Sequence, residues 1–348
     1  MKHFFLILIL LQFISCNTQK ATESKASFSQ IDSLIQTKSP RSFSGVVLIS
    51  ENGKTIYKKA HGFSDEENKI RIKPDDRFSS MSIAKQVTAT LIMLEVDKGN
   101  IKLNAPIKNY LKDFTYSWAD QVTVHHLMNN SSGIESWELK ENLLFEPGTQ
   151  FKYSNIGYAL LGKILENSTG KKYEELVNNL FANLKMSNSF YPRSNQPTVK
   201  SYFISKEKGK SLVTGLPLKS DYFPGSNLTV SAPDLSRWNF ALHNGKILKP
   251  ESYQKMIDYS ITNIHTLFSE KEIGYGYGLR INDKENFVEY GHTGFMPGAG
   301  FTAVNLYYPK NKISVVVLEN NATEDFDAAY FFESEVRKIV LKNLILKE

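Results

Sequence analysis

Ser82 and Lys85 stand three residues apart in Ser-Ile-Ala-Lys, at the head of an apolar run formed by Val87, Leu91, Met93, Leu94 and Val96. On a helix, residues i and i+3 share a face, so the hydroxyl and the amine can meet over the first turn. A partly desolvated lysine can hold a serine hydroxyl or accept its proton. The helix N-terminus adds a positive field and free N–H groups. Together these groups suit nucleophilic acyl transfer. The spacing alone is weak, because Ser168, Ser205 and Ser252 also precede a lysine by three. Ser168 falls at a helix end where Gly170 reads as a C-cap. Ser205 lies in a charged loop and Ser252 in a polar helix start. Only Ser82 is followed at once by a helix patterned for burial.

Two further constellations fit the same chemistry. Tyr153-Ser154-Asn155 is the only Tyr-x-Asn among 17 tyrosines. A phenol can exchange a proton with a nucleophile and a leaving group. To act as a base, its pKa near 10 must be lowered by neighbouring cations. Asn155 can orient Lys85 or a substrate amide, although a helix N-cap role before 156–167 also fits it. His292-Thr293-Gly294 precedes Phe295 and a strand. A basic and hydroxyl pair can bind a substrate carboxylate, and glycine lets a ligand approach the strand backbone. A plain turn with an incidental histidine is the alternative there.

The elements that must position these residues are legible in part. Residues 27–37 read as a short amphipathic helix (Phe28, Ile31, Leu34, Ile35). Residues 43–65 hold two strand-like runs around Asn52-Gly53, a hairpin signal because both turn positions need positive φ. Residues 82–98 read as a helix buried on most faces. The middle, about 80–272, reads as mainly helical with long loops. Residues 275–281, 301–308 and 313–320 read as strands, and 324–347 as a terminal helix. Strands at both ends around a helical insertion predict an α+β fold with one antiparallel sheet built from the two termini. The sheet part is expected over about 27–65 and 273–348.

In that order, Ser-x-x-Lys, Tyr-x-Asn and His-Thr-Gly carry a resemblance. The sequence resembles the serine β-lactamases and D-alanyl-D-alanine peptidases, in their class C-like branch. Residues 43–65 resemble the family's opening hairpin, and Arg77 to Ala89 its nucleophile helix. LMNNSSGI (127–134) is similar to the segment usually written LLTHTSGI. Pro147 to Gly162 and Gly291 to Phe301 match two further motif regions. The resemblance implies that Ser82 is the acylated nucleophile, with Lys85 and Tyr153 sharing proton transfer as a coupled pair. It implies an oxyanion hole from the backbone N–H of Ser82 and Phe295, with Asn155, His292, Thr293 and Gly294 on the substrate side. His292 stands where class C β-lactamases usually have lysine, and a neutral histidine holds a carboxylate less strongly. Met81 and Asn129-Asn130 also depart from the common pattern, and the class A Ser-Asp-Asn is absent.

The chain has 348 residues with 42 Lys+Arg and 36 Asp+Glu, a net charge of +6. These charges are interspersed, so no nucleic-acid footprint is expected. One cysteine excludes an intramolecular disulfide framework and a multi-cysteine zinc site. Gly157-x₄-Gly162-Lys163 has Walker A spacing but no following Ser/Thr, so it reads as helix core. No G-x-S-x-G elbow occurs. No cofactor or metal is expected. Residues 1–15 read as a signal peptide, with Lys2 before an apolar run too short to span a bilayer. The single cysteine, Cys16, ends that run as in a lipobox, and 16–26 reads as a polar tether to a catalytic domain over 27–348. The expected protein is exported and lipid-anchored to the cell envelope, in the outer membrane facing the periplasm. The resemblance implies a serine hydrolase of peptide, amide or ester substrates, D-alanyl peptidase- or esterase-like. The alternatives are a true class C-like β-lactamase and a β-lactam- or peptide-binding sensor without turnover.

Overall fold

A computed structural model describes residues 28–135, 138–192, 198–215 and 218–346. The signal sequence, Cys16 and the tether lie outside the described residues. Among the described residues no helix is long and apolar enough to cross a membrane.

The sheet has eight strands. Two come from the N-terminal part, β1 (Gly45–Glu51) and β2 (Lys54–His61). Six come from the C-terminal part: β3 (Thr262–His265), β4 (Ser269–Tyr275), β5 (Arg280–Asn282), β6 (Glu289–Phe295), β7 (Thr302–Tyr308) and β8 (Ile313–Glu319). Their spatial order is β2-β1-β8-β7-β6-β5-β4-β3, and every neighbouring pair is antiparallel. The β1–β2 turn is Asn52-Gly53, with φ of 51° and 75°. The two ends of the chain meet where β1 pairs with β8, Gly45 opposite Glu319.

The C-terminal part of the sheet begins at Thr262, ahead of the expected 273, because the edge strand β3 is polar and carries no apolar alternation to betray it. The run 275–281, expected as one strand, is the end of β4, a tight turn and the start of β5. Gly276 N–H bonds Leu279 C=O at 2.9 Å, and Tyr275 pairs with Arg280.

Both faces of the sheet are covered, so β7 and β8 are buried at every position. Alternation still sorts their side chains by face. Val315 and Val317 join Ile31, Phe332, Val336 and Val340 on one side. Those last four come from helix α1 (28–34) and from α5 (Phe331–Val340). The expected terminal helix is therefore broken, with 326–329 and α5 separated at Tyr330. Val316 and Leu318 face the other way, into a larger core with α2 (Ala84–Asp97), α3 (Asn155–Thr169) and α4 (Ala232–His243). The three layers leave a cleft where the start of helix α2 meets β6.

Candidate active site

Ser82 lies in a 3-10 turn, Met81–Ile83, that runs directly into α2. Residues i and i+3 eclipse in such a turn, so Lys85 still lies beneath Ser82. Met81 is buried and left-handed, with φ of 46°, a conformation costly for a non-glycine residue. Neighbouring contacts over-determine it. Ser80 N–H donates to Leu228 C=O at 2.8 Å, its hydroxyl accepts from Leu228 N–H at 2.9 Å, and Ser79 Oγ donates to Asn227 Oδ1 at 2.5 Å.

Lys85 is fully buried. Its Nζ donates to Asn155 Oδ1 at 2.7 Å and to the carbonyl of Gly225, and lies 3.5 Å from Ser82 Oγ. Two partners that only accept fix two N–H bonds, and the third direction faces the serine. Burial, and then the positive charge of Arg280, hold the amine well below its ordinary pKa. A neutral amine presents its lone pair to Ser82. Gly225 can serve because it lacks a side chain. A Cβ there would lie 2.7 Å from Tyr158 Cβ and 3.4 Å from Lys85 Nζ.

Ser154, not Asn155, caps α3: its hydroxyl accepts from Gly157 N–H at 3.0 Å. That frees the Asn155 side chain for Lys85. Asn130, in left-handed conformation with φ of 59°, brackets Tyr153. Its C=O accepts from Lys152 N–H at 2.8 Å and its Oδ1 from Ser154 N–H at 3.0 Å. The Lys85 nitrogen is 4.4 Å from the Tyr153 ring centroid. Burial pushes the Tyr153 phenol up to about 12, against the opposing pull of a hydrogen bond with Ser82 and of Arg280. The lowering that a phenol needs in order to act as a base is opposed here by desolvation, which outweighs the pull of Arg280.

In the third motif the structure shows what two of the residues touch. His292 is buried, with Nδ1 2.6 Å from Thr293 C=O and Nε2 3.0 Å from Tyr275 Oη. A carbonyl only accepts, so Nδ1 carries the proton and Nε2 takes the Tyr275 hydroxyl. Burial, Arg280 and Lys85 hold this ring well below its usual pKa. Neutral and with both nitrogens engaged, His292 offers no donor to an anion. Gly294 is required by the nucleophile turn rather than by a ligand. A Cβ there would lie 2.5 Å from Ser80 C=O and 2.8 Å from Met81 Cβ. Thr293 faces the cleft, its Oγ1 3.3 Å from His265 Nε2.

Ser82, Tyr153, His292, Thr293 and Phe295 line one cleft of ≈ 340 Å³, with Lys85 and Asn155 beneath it. β5 covers β6 only from Glu289 to Gly291, so that side of Thr293–Phe295 has no strand beside it. Among the described residues no aspartate or glutamate lines the cleft. Among the described residues no cluster of His, Cys, Asp or Glu is arranged to hold a metal.

Arg280 also lines the cleft, and the motifs gave no sign of it. It opens β5 directly after the 276–279 turn and is only 7% exposed. Its Nη1 donates to Asn263 Oδ1 at 3.1 Å, while Nε has no hydrogen-bond partner among the described residues. Its guanidinium carbon lies 5.4 Å from the Tyr275 ring centroid and 6.0 Å from that of Tyr153. The signal available in sequence was an arginine at the end of a Gly-Tyr-Gly-Tyr-Gly run, which favours a turn over a strand.

The layered sheet and the lysine-backed serine define a serine hydrolase of the β-lactamase/transpeptidase-like fold. The chain belongs to the Beta-lactamase family, whose model matches residues 31–336. It is similar to Protein flp of Staphylococcus aureus (strain N315), 25% identical over 305 residues, covering 80% of this chain and 59% of that protein. The chain thus spans about three-fifths of the length of that relative. Its structure is similar to the penicillin-binding protein homologue from Pyrococcus abyssi, with a TM-score of 0.75 and 24% identity over 97% of this chain and 79% of that one. It is likewise similar to the D-amino acid amidase from Ochrobactrum anthropi SV3, with a TM-score of 0.75 and 22% identity over 94% of this chain and 98% of that one.

Proposed function

We propose that the protein hydrolyses a peptide, amide or ester through an acyl-enzyme on Ser82, and that the departing part of the substrate carries a carboxylate. The observation that carries the second clause is Arg280, a buried guanidinium that lines the cleft, where no acidic side chain stands beside it among the described residues. Buried charges are ordinarily paired, so this one awaits an anion. A guanidinium matches a carboxylate better than any other side chain.

In this reading Ser82 Oγ attacks the substrate carbonyl carbon as its proton passes to the neutral Lys85 amine. The 3.5 Å separation shortens on substrate binding. The backbone N–H groups of Ser82 and Phe295 hold the oxyanion, a donor pair of the kind whose loss costs about 3–4 kcal/mol of barrier per group. Tyr153, protonated, gives its proton to the departing nitrogen or oxygen as the C–N or C–O bond breaks. Lys85 returns its proton to the phenolate. Water then attacks the acyl carbon of the ester on Ser82; its proton passes through the same pair to Ser82 Oγ as the C–Oγ bond breaks, and the acid product leaves. Thr293 and Arg280 hold the departing carboxylate. His292 positions strand β6 and Tyr275 without touching the anion. The amidase and penicillin-binding neighbours support amide and peptide substrates over a dedicated β-lactamase. Export and lipid anchoring through Cys16 are part of the same proposal.

Steady-state hydrolysis of acyl-dipeptides, their amides and esters, and benzylpenicillin tests this reading. Ser82→Ala is expected to lose turnover of every substrate the wild type accepts, and free acids are expected to outrun their amides. Turnover undiminished in Ser82→Ala contradicts it. Rapid, continuing consumption of benzylpenicillin with slow peptide hydrolysis favours the β-lactamase alternative. Tight ligand binding without turnover favours the sensor.

A further inference from the structure

At its outer end the cleft changes character. Ile264, on edge strand β3, is 60% exposed, and Phe326, on the 326–329 helix, is 39% exposed. Four large apolar side chains are at least as exposed as Phe326 among the described residues. These two stand on separate elements, yet both line the cleft that holds Ser82 and Arg280. Scattered single exposures need no explanation, but a pair facing one functional cleft does.

The surface is built rather than loose. The Phe326 ring meets Tyr330 with centroids 4.9 Å apart, and Phe295 and His265 at 6.4 Å each. Tyr330 in turn meets Phe295 at 6.0 Å. The helix bearing Phe326 is capped by Asp325, whose Oδ1 accepts from Ala328 N–H at 2.9 Å. It is held from below by Arg41, whose Nε donates to Ala328 C=O at 2.7 Å. Arg41 is itself clamped by Glu319 through bonds of 2.6 and 2.8 Å. An aromatic wall fixed this firmly and left open to water is suited to a flat apolar group.

We propose that Ile264 and Phe326 form a subsite for a bulky apolar side chain, leucine-like or aromatic, on the carboxylate-bearing residue that departs. The proposal rests on the reading in which Ser82 is acylated and Arg280 takes the carboxylate. Those two contacts fix the α-carbon of the departing residue between them. Its side chain then meets the apolar mouth of the same cleft. An alanine methyl would leave that wall uncovered.

The test measures kcat/KM on the full mature chain for acyl-dipeptide free acids ending in alanine, leucine or phenylalanine, each in both configurations. The leucine- or phenylalanine-ended acid of the accepted configuration is expected to exceed its alanine counterpart by at least about tenfold, since a single methylene in an apolar pocket is worth about 10- to 200-fold. In Phe326→Ala combined with Ile264→Ala, that ratio is expected to fall towards one. The wild-type ratio decides even if the double variant does not fold. Alanine-ended acids cleaved as fast or faster, in a Ser82-dependent way, overturn the subsite and leave the hydrolase reading standing. Turnover of amides and esters but of no free acid overturns the carboxylate reading and the subsite with it.

Discussion

Replacing Arg280 by methionine removes the charge and keeps most of the volume. The guanidinium is buried and its Nε lacks a partner among the described residues, so its interaction with a substrate carboxylate is little screened. Truncating one partner of a buried, hydrogen-bonded charge pair costs about 2–4 kcal/mol, equivalent to roughly a 30- to 900-fold loss in kcat/KM. On the pH plateau that loss is expected for free-acid substrates and not for the matching amides, which bring no charge to Arg280. A second readout is independent of substrate charge. Arg280 helps depress the Lys85 amine, second only to burial, and it pulls the Tyr153 phenol down against burial. Without it both pKa values rise. Lys85 must be neutral to accept the serine proton, so the acid limb of kcat/KM for a neutral ester moves to higher pH. The alkaline limb, set by loss of the Tyr153 proton, moves the same way. Stopped-flow pH profiles with acid and amide substrates check both effects. Equal losses on acids and amides, or an acid limb that stays put or moves down, would refute the reasoning.

Two other substitutions probe the nucleophile's surroundings. Asn155→Asp places a carboxylate where Oδ1 lies 2.7 Å from Lys85 Nζ; it is expected to raise the lysine pKa, keep the amine protonated at neutral pH and lower turnover there, with recovery as pH rises. Gly294→Ala puts a methyl 2.5 Å from Ser80 C=O; overpacking of about 1–3 kcal/mol is expected, seen as a lower Tm together with a kcat loss larger than on a variant remote from the Ser82 turn.

Much of the site was legible because its chemistry is local. Ser82 and Lys85 lie one turn apart, and Asn52-Gly53 dictates its own turn. What escaped is long-range. Gly225 supplies a carbonyl to a lysine 140 residues away, and no spacing rule connects them. Arg280 was hidden because seven residues, 275–281, look like one strand by composition. In the structure Gly276 and Gly278 make a turn there, and β5 has only three residues, too few to show a period. The hydrogen bonds of His292, which lines the cleft, were hidden for a related reason. Whether an imidazole meets a ligand or its own strand depends on which nitrogen is already bonded, and Tyr275 and the Thr293 carbonyl decide that only once β4 and β6 are side by side. The Tyr153 phenol turned on the balance of burial against charge, which requires knowing that Arg280 is near and water is not.

The most direct measurement is an intact-protein mass time course with benzylpenicillin, followed by peptide mapping, on the wild type and Ser82→Ala. A covalent adduct of the full acyl mass on the peptide carrying Ser82, absent from Ser82→Ala, is the expected result. An adduct that forms equally in Ser82→Ala, or one mapped to another residue, would contradict an acyl-enzyme on Ser82.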